Sequence, residues 1–163
     1  MNSKIEAAKK LAKFAHRGQT TKAGHNYYWH HIVPVMQIAD ERNGWSASIM
    51  RAEDILVAAI LHDTIEDTFV TKEYLEEYFG SFVAEVVDAV SRREVKMLDG
   101  TELSRESYAD FIERIASMEG SIGDVAREVK IADLIHHLQD TSAISDSLVE
   151  RYTKAAIRLG FVK

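Results

Sequence analysis

Seven apolar residues, Ile55 to Leu61, run without interruption into His62-Asp63-Thr64-Ile65-Glu66-Asp67. An apolar stretch this continuous predicts a helix buried on several sides. The expected helix spans Glu53 to Asp67, with Leu56, Ala58, Ala59 and Ile60 inside. Four ionisable groups at its end need partners, because unpaired buried charge is costly. On a helix, His62 and Glu66 are i, i+4 on one face, and Asp63 and Asp67 are i, i+4 on the next. A divalent metal satisfies an imidazole and a carboxylate from adjacent positions and leaves the next turn free to act on water. Taken by itself, the segment also reads as an exposed polar helix end.

The rest of the chain carries the same 3.6-residue periodicity. Ile5, Ala8, Leu11, Ala12 and Ala15 share one face of a first helix. Glu6 and the lack of a cleavage-like apolar region favour that reading over a targeting peptide. Gly18 and Gly24 bracket a loop. A second helix starts near His30 or His31 and runs towards Arg42, with Pro34 in its first turn, and Asn43-Gly44 ends it. Thr71 caps a short helix to Phe79, Gly80 stops it, and Ser81 opens another through Val90. Met97 to Thr101 reads as a loop with an Asp99-Gly100 turn. Ser104 to Met118 is an amphipathic helix, and Ser117 to Gly123 a break. Asp124 caps a helix to Gln139, and Asp146 or Ser147 starts the last one, ending at Gly160. With one proline in 163 residues, the expectation is an all-α fold. About seven or eight helices form one domain over 1–163.

The chain has no cysteine. That excludes a disulfide scaffold, a thiolate nucleophile, an iron–sulfur cluster and Cys-rich zinc sites. The net charge of −6 argues against a general nucleic-acid binder. No apolar run approaches the roughly 18–20 residues of a membrane span, and the cytoplasm is the default location.

Two further clusters carry chemistry. In Asp133-Leu134-Ile135-His136-His137, Asp133 and His137 are i, i+4; the bland reading is a partly buried Asp beside Lys130 with surface histidines. His30-His31 follows Tyr27-Tyr28-Trp29, and a histidine beside aromatics is often simply packed. Together the three clusters fit a site built from imidazole and carboxylate donors.

These residues resemble the HD superfamily of metal-dependent phosphohydrolases, in particular its RelA/SpoT-type hydrolase branch with its small single-domain alarmone hydrolases. Four segments carry the likeness in order: His16-Arg17-Gly18-Gln19 with Lys22-Ala23-Gly24, Tyr27 and His30; Ile60 to Thr68; Thr71, Phe79-Gly80, Val83, Val87-Asp88 and Val90-Ser91; and Val129 to His137. The likeness runs from about residue 4 to 160. It implies an orthogonal helical bundle and a metal, usually Mn²⁺, held by His30, His62, Asp63 and Asp133. It implies that Glu66 and Asp67 position and activate water, Glu66 being the favoured base. Lys22 and His137 would bind the nucleotide. Arg92 and Arg93 are candidates for its phosphates, against a solvated helix end.

Four positions depart from the family pattern. Thr21 stands where the family has an Arg that packs on guanine. His31 replaces the proline after the first metal histidine, so His30 and His31 compete for the ligand role, with register favouring His30. His137 replaces an asparagine, and Leu134 a frequent Arg or Lys. The resemblance therefore implies a 3′-pyrophosphohydrolase of guanosine 3′,5′-bis(diphosphate), with a small-molecule nucleotide as partner. The alternatives are an HD phosphohydrolase of another nucleotide, such as a nucleoside monophosphate or NADPH, and a non-catalytic regulatory domain.

Overall fold

The computed structural model describes residues 3–43, 49–96 and 103–161. Helices dominate it, as the periodicity predicts. They are α1 (Ser3–Ala15), α2 (Val33–Asn43), α3 (Ile49–Leu61), α4 (Thr64–Asp67), α5 (Lys72–Phe79), α6 (Ser81–Ala89), α7 (Tyr108–Ser117), α8 (Gly120–Gln139) and α9 (Asp146–Arg158). A π-helical turn, Tyr28–Ile32, leads directly into α2. Two short strands, β1 (Glu94–Lys96) and β2 (Leu103–Arg105), form an antiparallel pair with Glu94 opposite Arg105. The Gly44 end of the second helix and the Met97–Thr101 loop lie outside the described residues.

Helix α3 is the hub. It packs against α1, α2, α6 and α8, which is why it tolerates so few polar residues. Ile55 and the run from Val57 to Leu61 are buried, while Leu56 is half-buried. Each buried Ile, Val or Leu among them contributes roughly 1.5–3 kcal/mol, and each Ala less, before chain entropy is charged against it. Helix α8 is the second hub, against α2, α3, α6, α7 and α9. It buries Val125, Val129 and Leu134 and carries Asp133 at similar depth.

Local chemistry moves several expected boundaries. The helix predicted to Asp67 stops at Leu61, because the Thr64 hydroxyl donates to the Leu61 carbonyl at 2.7 Å. His62 and Asp63 occupy the turn, and α4 then restarts the helical course. At the C-terminal helix pair the break is shorter than expected. Arg127 Nη1 donates to the Met118 carbonyl at 2.6 Å, and α8 begins at Gly120 rather than at Asp124. Ser104 belongs to β2; the N-cap of α7 is Ser107, whose hydroxyl accepts from Asp110 N–H at 3.1 Å. Thr71 does cap α5, accepting from Tyr74 N–H at 3.2 Å, and Gly80 stops it at φ +88°, a left-handed value that glycine adopts without strain. None of the described helices is long and apolar enough to cross a membrane.

Candidate active site

The break after Leu61 turns the helix end into a corner. His62 is buried beneath it, and its Nδ1–H donates to the Ala59 carbonyl at 2.8 Å. That bond commits Nδ1 and leaves Nε2 as the ring atom that faces the site, where a metal would displace its proton. Three groups do. Asp63 Oδ2 lies 3.0 Å away, His31 Nε2 3.2 Å and Asp133 Oδ1 3.8 Å. His31 Nε2 is in turn 3.1 Å from Asp63 Oδ2 and 3.4 Å from Asp133 Oδ1.

The histidine in this cluster is therefore His31. His30, which register favoured, is exposed; its ring stacks on His25 with centroids 4.7 Å apart. The cause is the π turn. Val33 N–H bonds to the Tyr28 carbonyl, five residues back, so the turn holds one residue more than an α turn. The motif spacing from Tyr27 selects His30, three residues on, whereas this turn places His31, four residues on, under the Tyr27 ring, centroids 4.8 Å apart. Pro34 reinforces the arrangement. It has no N–H to offer the carbonyl of His30 four residues back, and that carbonyl accepts from His136 Nε2 at 2.9 Å instead.

The two carboxylates are held from outside. Tyr27 Oη donates to Asp63 Oδ2 at 2.6 Å, and Lys130 Nζ donates to Asp133 Oδ2 at 2.6 Å. Burial opposes charge on both acids, but the imidazoles and Lys130 outweigh it and keep them well below the usual carboxylate range. Burial likewise opposes charge on His62, and Asp63 and Asp133 overcome it, lifting that imidazole to about 9. Asp133 Oδ1 is buried and accepts no hydrogen bond: its imidazole neighbours are close but not aligned for one. A buried carboxylate oxygen without a donor, facing the nitrogens of two buried imidazoles, fits a cation. His31, His62 and Asp63 offer atoms close enough for one ion, as do His31, Asp133 and His137. The mixed imidazole and carboxylate set suits a divalent ion of intermediate hardness.

Beyond this centre, Glu66 and Asp67 take different positions. Both Glu66 oxygens are engaged: Oε2 accepts from Arg92 N–H at 2.9 Å, and Oε1 pairs with the Arg105 guanidinium. Among the described residues, no cation pairs with Asp67. Partial burial and the neighbouring Asp63 charge raise its pKa. Its backbone carbonyl accepts from Gln19 Nε2 at 2.8 Å, and Gln19 Oε1 lies 2.7 Å from Nδ1 of the buried His16. The His16–Gln19 pair thus ties the end of α1 to the acidic turn.

A cavity of about 200 Å³ joins these groups, lined by Asp63, Glu66, Asp67, Asp133 and His137 together with the cations Arg92, Arg105, Lys130 and Arg151. Arg92 Nε and Tyr108 Oη in its wall are buried without hydrogen-bond partners among the described residues. Beside it lies a cavity of about 350 Å³, lined by Thr21, Lys22, His25, His30, His31, His136 and His137. Lys22 is exposed at this second cavity. Arg93 lines neither; it borders an open cleft next to Glu66 and Asp67, and its N–H donates to Glu106 Oε2 at 3.1 Å.

The structure adds residues that sequence reading passed over. Arg105 reaches Glu66, 39 positions earlier, because the β1–β2 pair sets it opposite Glu94. Tyr108, Arg151 and Tyr152 arrive from α7 and α9. Nothing local in the sequence marks them. Tyr27 and Lys130 were signalled by their place beside the His/Asp clusters.

The family model of the HD domain matches residues 8–160. The chain is 34% identical over 160 residues to a guanosine-3′,5′-bis(diphosphate) 3′-pyrophosphohydrolase of Vibrio cholerae serotype O1, covering 92% of this chain and 21% of that protein. It is 30% identical over 166 residues to the bifunctional (p)ppGpp synthase/hydrolase SpoT of Escherichia coli strain K12, covering 96% and 22%. It is 30% identical over 149 residues to a probable chloroplastic GTP diphosphokinase, RSH3, of Arabidopsis thaliana, covering 91% and 19%. The chain thus spans about a fifth of the length of these curated relatives. Among solved structures, a metazoan ortholog of SpoT described as hydrolysing ppGpp superposes with a TM-score of 0.72. It is 23% identical, with 98% of this chain and 84% of that chain covered, and so supports the fold.

Proposed function

The chain belongs to the HD domain family, and we propose that it is a divalent-metal-dependent phosphohydrolase that removes the 3′-pyrophosphate from guanosine 3′,5′-bis(diphosphate). The observation that carries this reading is the convergence of His31, His62, Asp63 and Asp133 in one cluster, whose two carboxylates also line a cleft that holds Asp67 and several cations.

In this reading His31, His62, Asp63 and Asp133 hold the metal, with Mn²⁺ the ion the resemblance points to. When bound, it lowers the pKa of water and neutralises charge on phosphoryl oxygens. The protein's own groups do the rest. Asp67 takes the proton from the attacking water, since its pKa is raised and no cation occupies it. Glu66 positions the water and the Arg105 side chain rather than acting as base, because both its oxygens are already engaged. Tyr27 fixes Asp63 and Lys130 fixes Asp133. The unpartnered Arg92 Nε and Tyr108 Oη are ready donors for phosphoryl oxygens. The larger neighbouring cavity, with Lys22 at its edge, takes the nucleoside.

A second reading, hydrolysis of a different phosphorylated nucleotide, is favoured by one position. Thr21 lines the nucleoside cavity and offers no planar cation to stack on a base. The test is a nucleotide panel on Mn²⁺-loaded protein, following release of inorganic phosphate and pyrophosphate. Pyrophosphate and GDP from guanosine 3′,5′-bis(diphosphate) support the first reading. Inertness towards it with turnover of another nucleotide supports the second. Inertness towards the whole panel contradicts both.

A further inference from the structure

We infer that His137 is a ligand of the metal centre and not a contact to the nucleotide, and that it shifts the centre's preference from Mn²⁺ towards borderline ions such as Co²⁺ and Zn²⁺. The inference rests on the metal-centre reading given above and deepens it.

Asp133 carries the argument. One of its oxygens is committed to Lys130 at 2.6 Å. The other, Oδ1, is buried and accepts no hydrogen bond. His137 Nε2 lies 3.2 Å from that oxygen, nearer than His31 at 3.4 Å or His62 at 3.8 Å. His137 sits one helical turn beyond Asp133 on α8, so both side chains leave the same face. Its ring is braced on the far side by Tyr152, stacked with centroids 5.1 Å apart and planes 26° apart. On the near side the His31 ring lies 5.0 Å away. A surface histidine has no reason to be held this way. His31, Asp133 and His137 offer ligand atoms all within 4.8 Å of one another, so His31 belongs to both donor triads and links His137 to His62 and Asp63.

The chemical consequence follows from donor type. An amide side chain at this position offers a hard, weak oxygen donor. An imidazole is a strong donor for the later first-row ions, whose affinities rise along the series from Mn²⁺. A third imidazole beside two carboxylates therefore gains little for Mn²⁺ and much for Co²⁺ or Zn²⁺.

The test uses the full chain stripped of metal by a chelator, alongside His137→Asn and His137→Ala. Helix content and melting temperature check each fold; the side chain is 36% exposed, so both variants are expected to fold. Co²⁺ and Mn²⁺ affinities are measured by chelator competition, and the visible d–d absorption of the Co²⁺ forms is recorded. Both variants should bind Co²⁺ at least about tenfold more weakly and shift its absorption band, while Mn²⁺ affinity changes less. Co²⁺ affinity and spectrum unchanged in His137→Asn, with a raised KM for nucleotide, would return His137 to the substrate pocket and overturn the inference alone. A wild-type chain that binds neither ion would remove the metal centre and this inference together.

Discussion

The Nε2 atoms of His31 and His62 lie 3.2 Å apart, joining a π turn at the start of α2 to the corner where α3 ends. Each ring is placed by a departure from regular α-helix. The extra residue of the π turn carries His31 inward, and the Thr64–Leu61 hydrogen bond stops α3 so that His62 and Asp63 stand at its end.

If the π turn is an absorbed insertion, removing one residue from it should leave the site standing. Trp29 is the residue to delete: it is 56% exposed, touching Tyr28 edge-on and lying under the Lys13 ammonium. The deletion variant should close to an α turn, keep His31 in the cluster and hold metal within about tenfold of wild type. Circular dichroism and metal titration check this. A folded variant that binds no metal would show that the wide turn itself is required.

Asp67 and Glu66 should separate kinetically. Asp67→Asn should lower kcat by about 10²–10⁴, and Glu66→Gln by less. A base works deprotonated, so the rate falls as pH drops through the Asp67 pKa. Partial burial and the Asp63 charge raise that value above the ordinary 3.8 in the metal-free chain, and a dication bound by Asp63 would pull it back down, so the acid limb is identified by its dependence on Asp67. The limb should vanish in Asp67→Asn. A larger loss in Glu66→Gln would reverse the two roles.

Glu106 supports the cleft from behind. Its carboxylate accepts from Arg114 Nε and Nη2, both at 2.8 Å, and from Arg93 N–H at 3.1 Å, while Arg114 also donates to the Ala89 and Ser91 carbonyls. Its pKa is lowered below the ordinary 4.5, chiefly by the Arg114 hydrogen bonds. A depressed carboxylate contributes stability that is complete above the unfolded value and is lost as pH falls through the folded one. Glu106→Gln should therefore cost about 1–3 kcal/mol at neutral pH, with the deficit shrinking in acid. Denaturant melts across pH check it; a deficit that does not change with pH would remove the carboxylate charge from the explanation.

The sequence made the helices legible wherever one face stayed apolar, as in α1, α3 and α8, and it made the His62-Asp63 and Asp133 clusters legible because charge next to buried aliphatics demands a partner. What it hid has physical causes. A π turn leaves no mark in apolar periodicity, so the family-motif register with Gly24 and Tyr27 pointed to His30. The hydroxyl that stops α3 belongs to a threonine, a residue common inside helices. Arg105 meets Glu66 only after a strand pair forms across residues with little strand character, and that remote cation is what favours Asp67 over Glu66 as the proposed base.

In the proposed metal centre the ligand from the π turn is His31, not His30. Metal content of His31→Ala and His30→Ala, each reconstituted with Mn²⁺ and passed through a desalting column, tests this. His30→Ala should retain metal at the wild-type level and His31→Ala none. Metal kept by His31→Ala and lost by His30→Ala would contradict it.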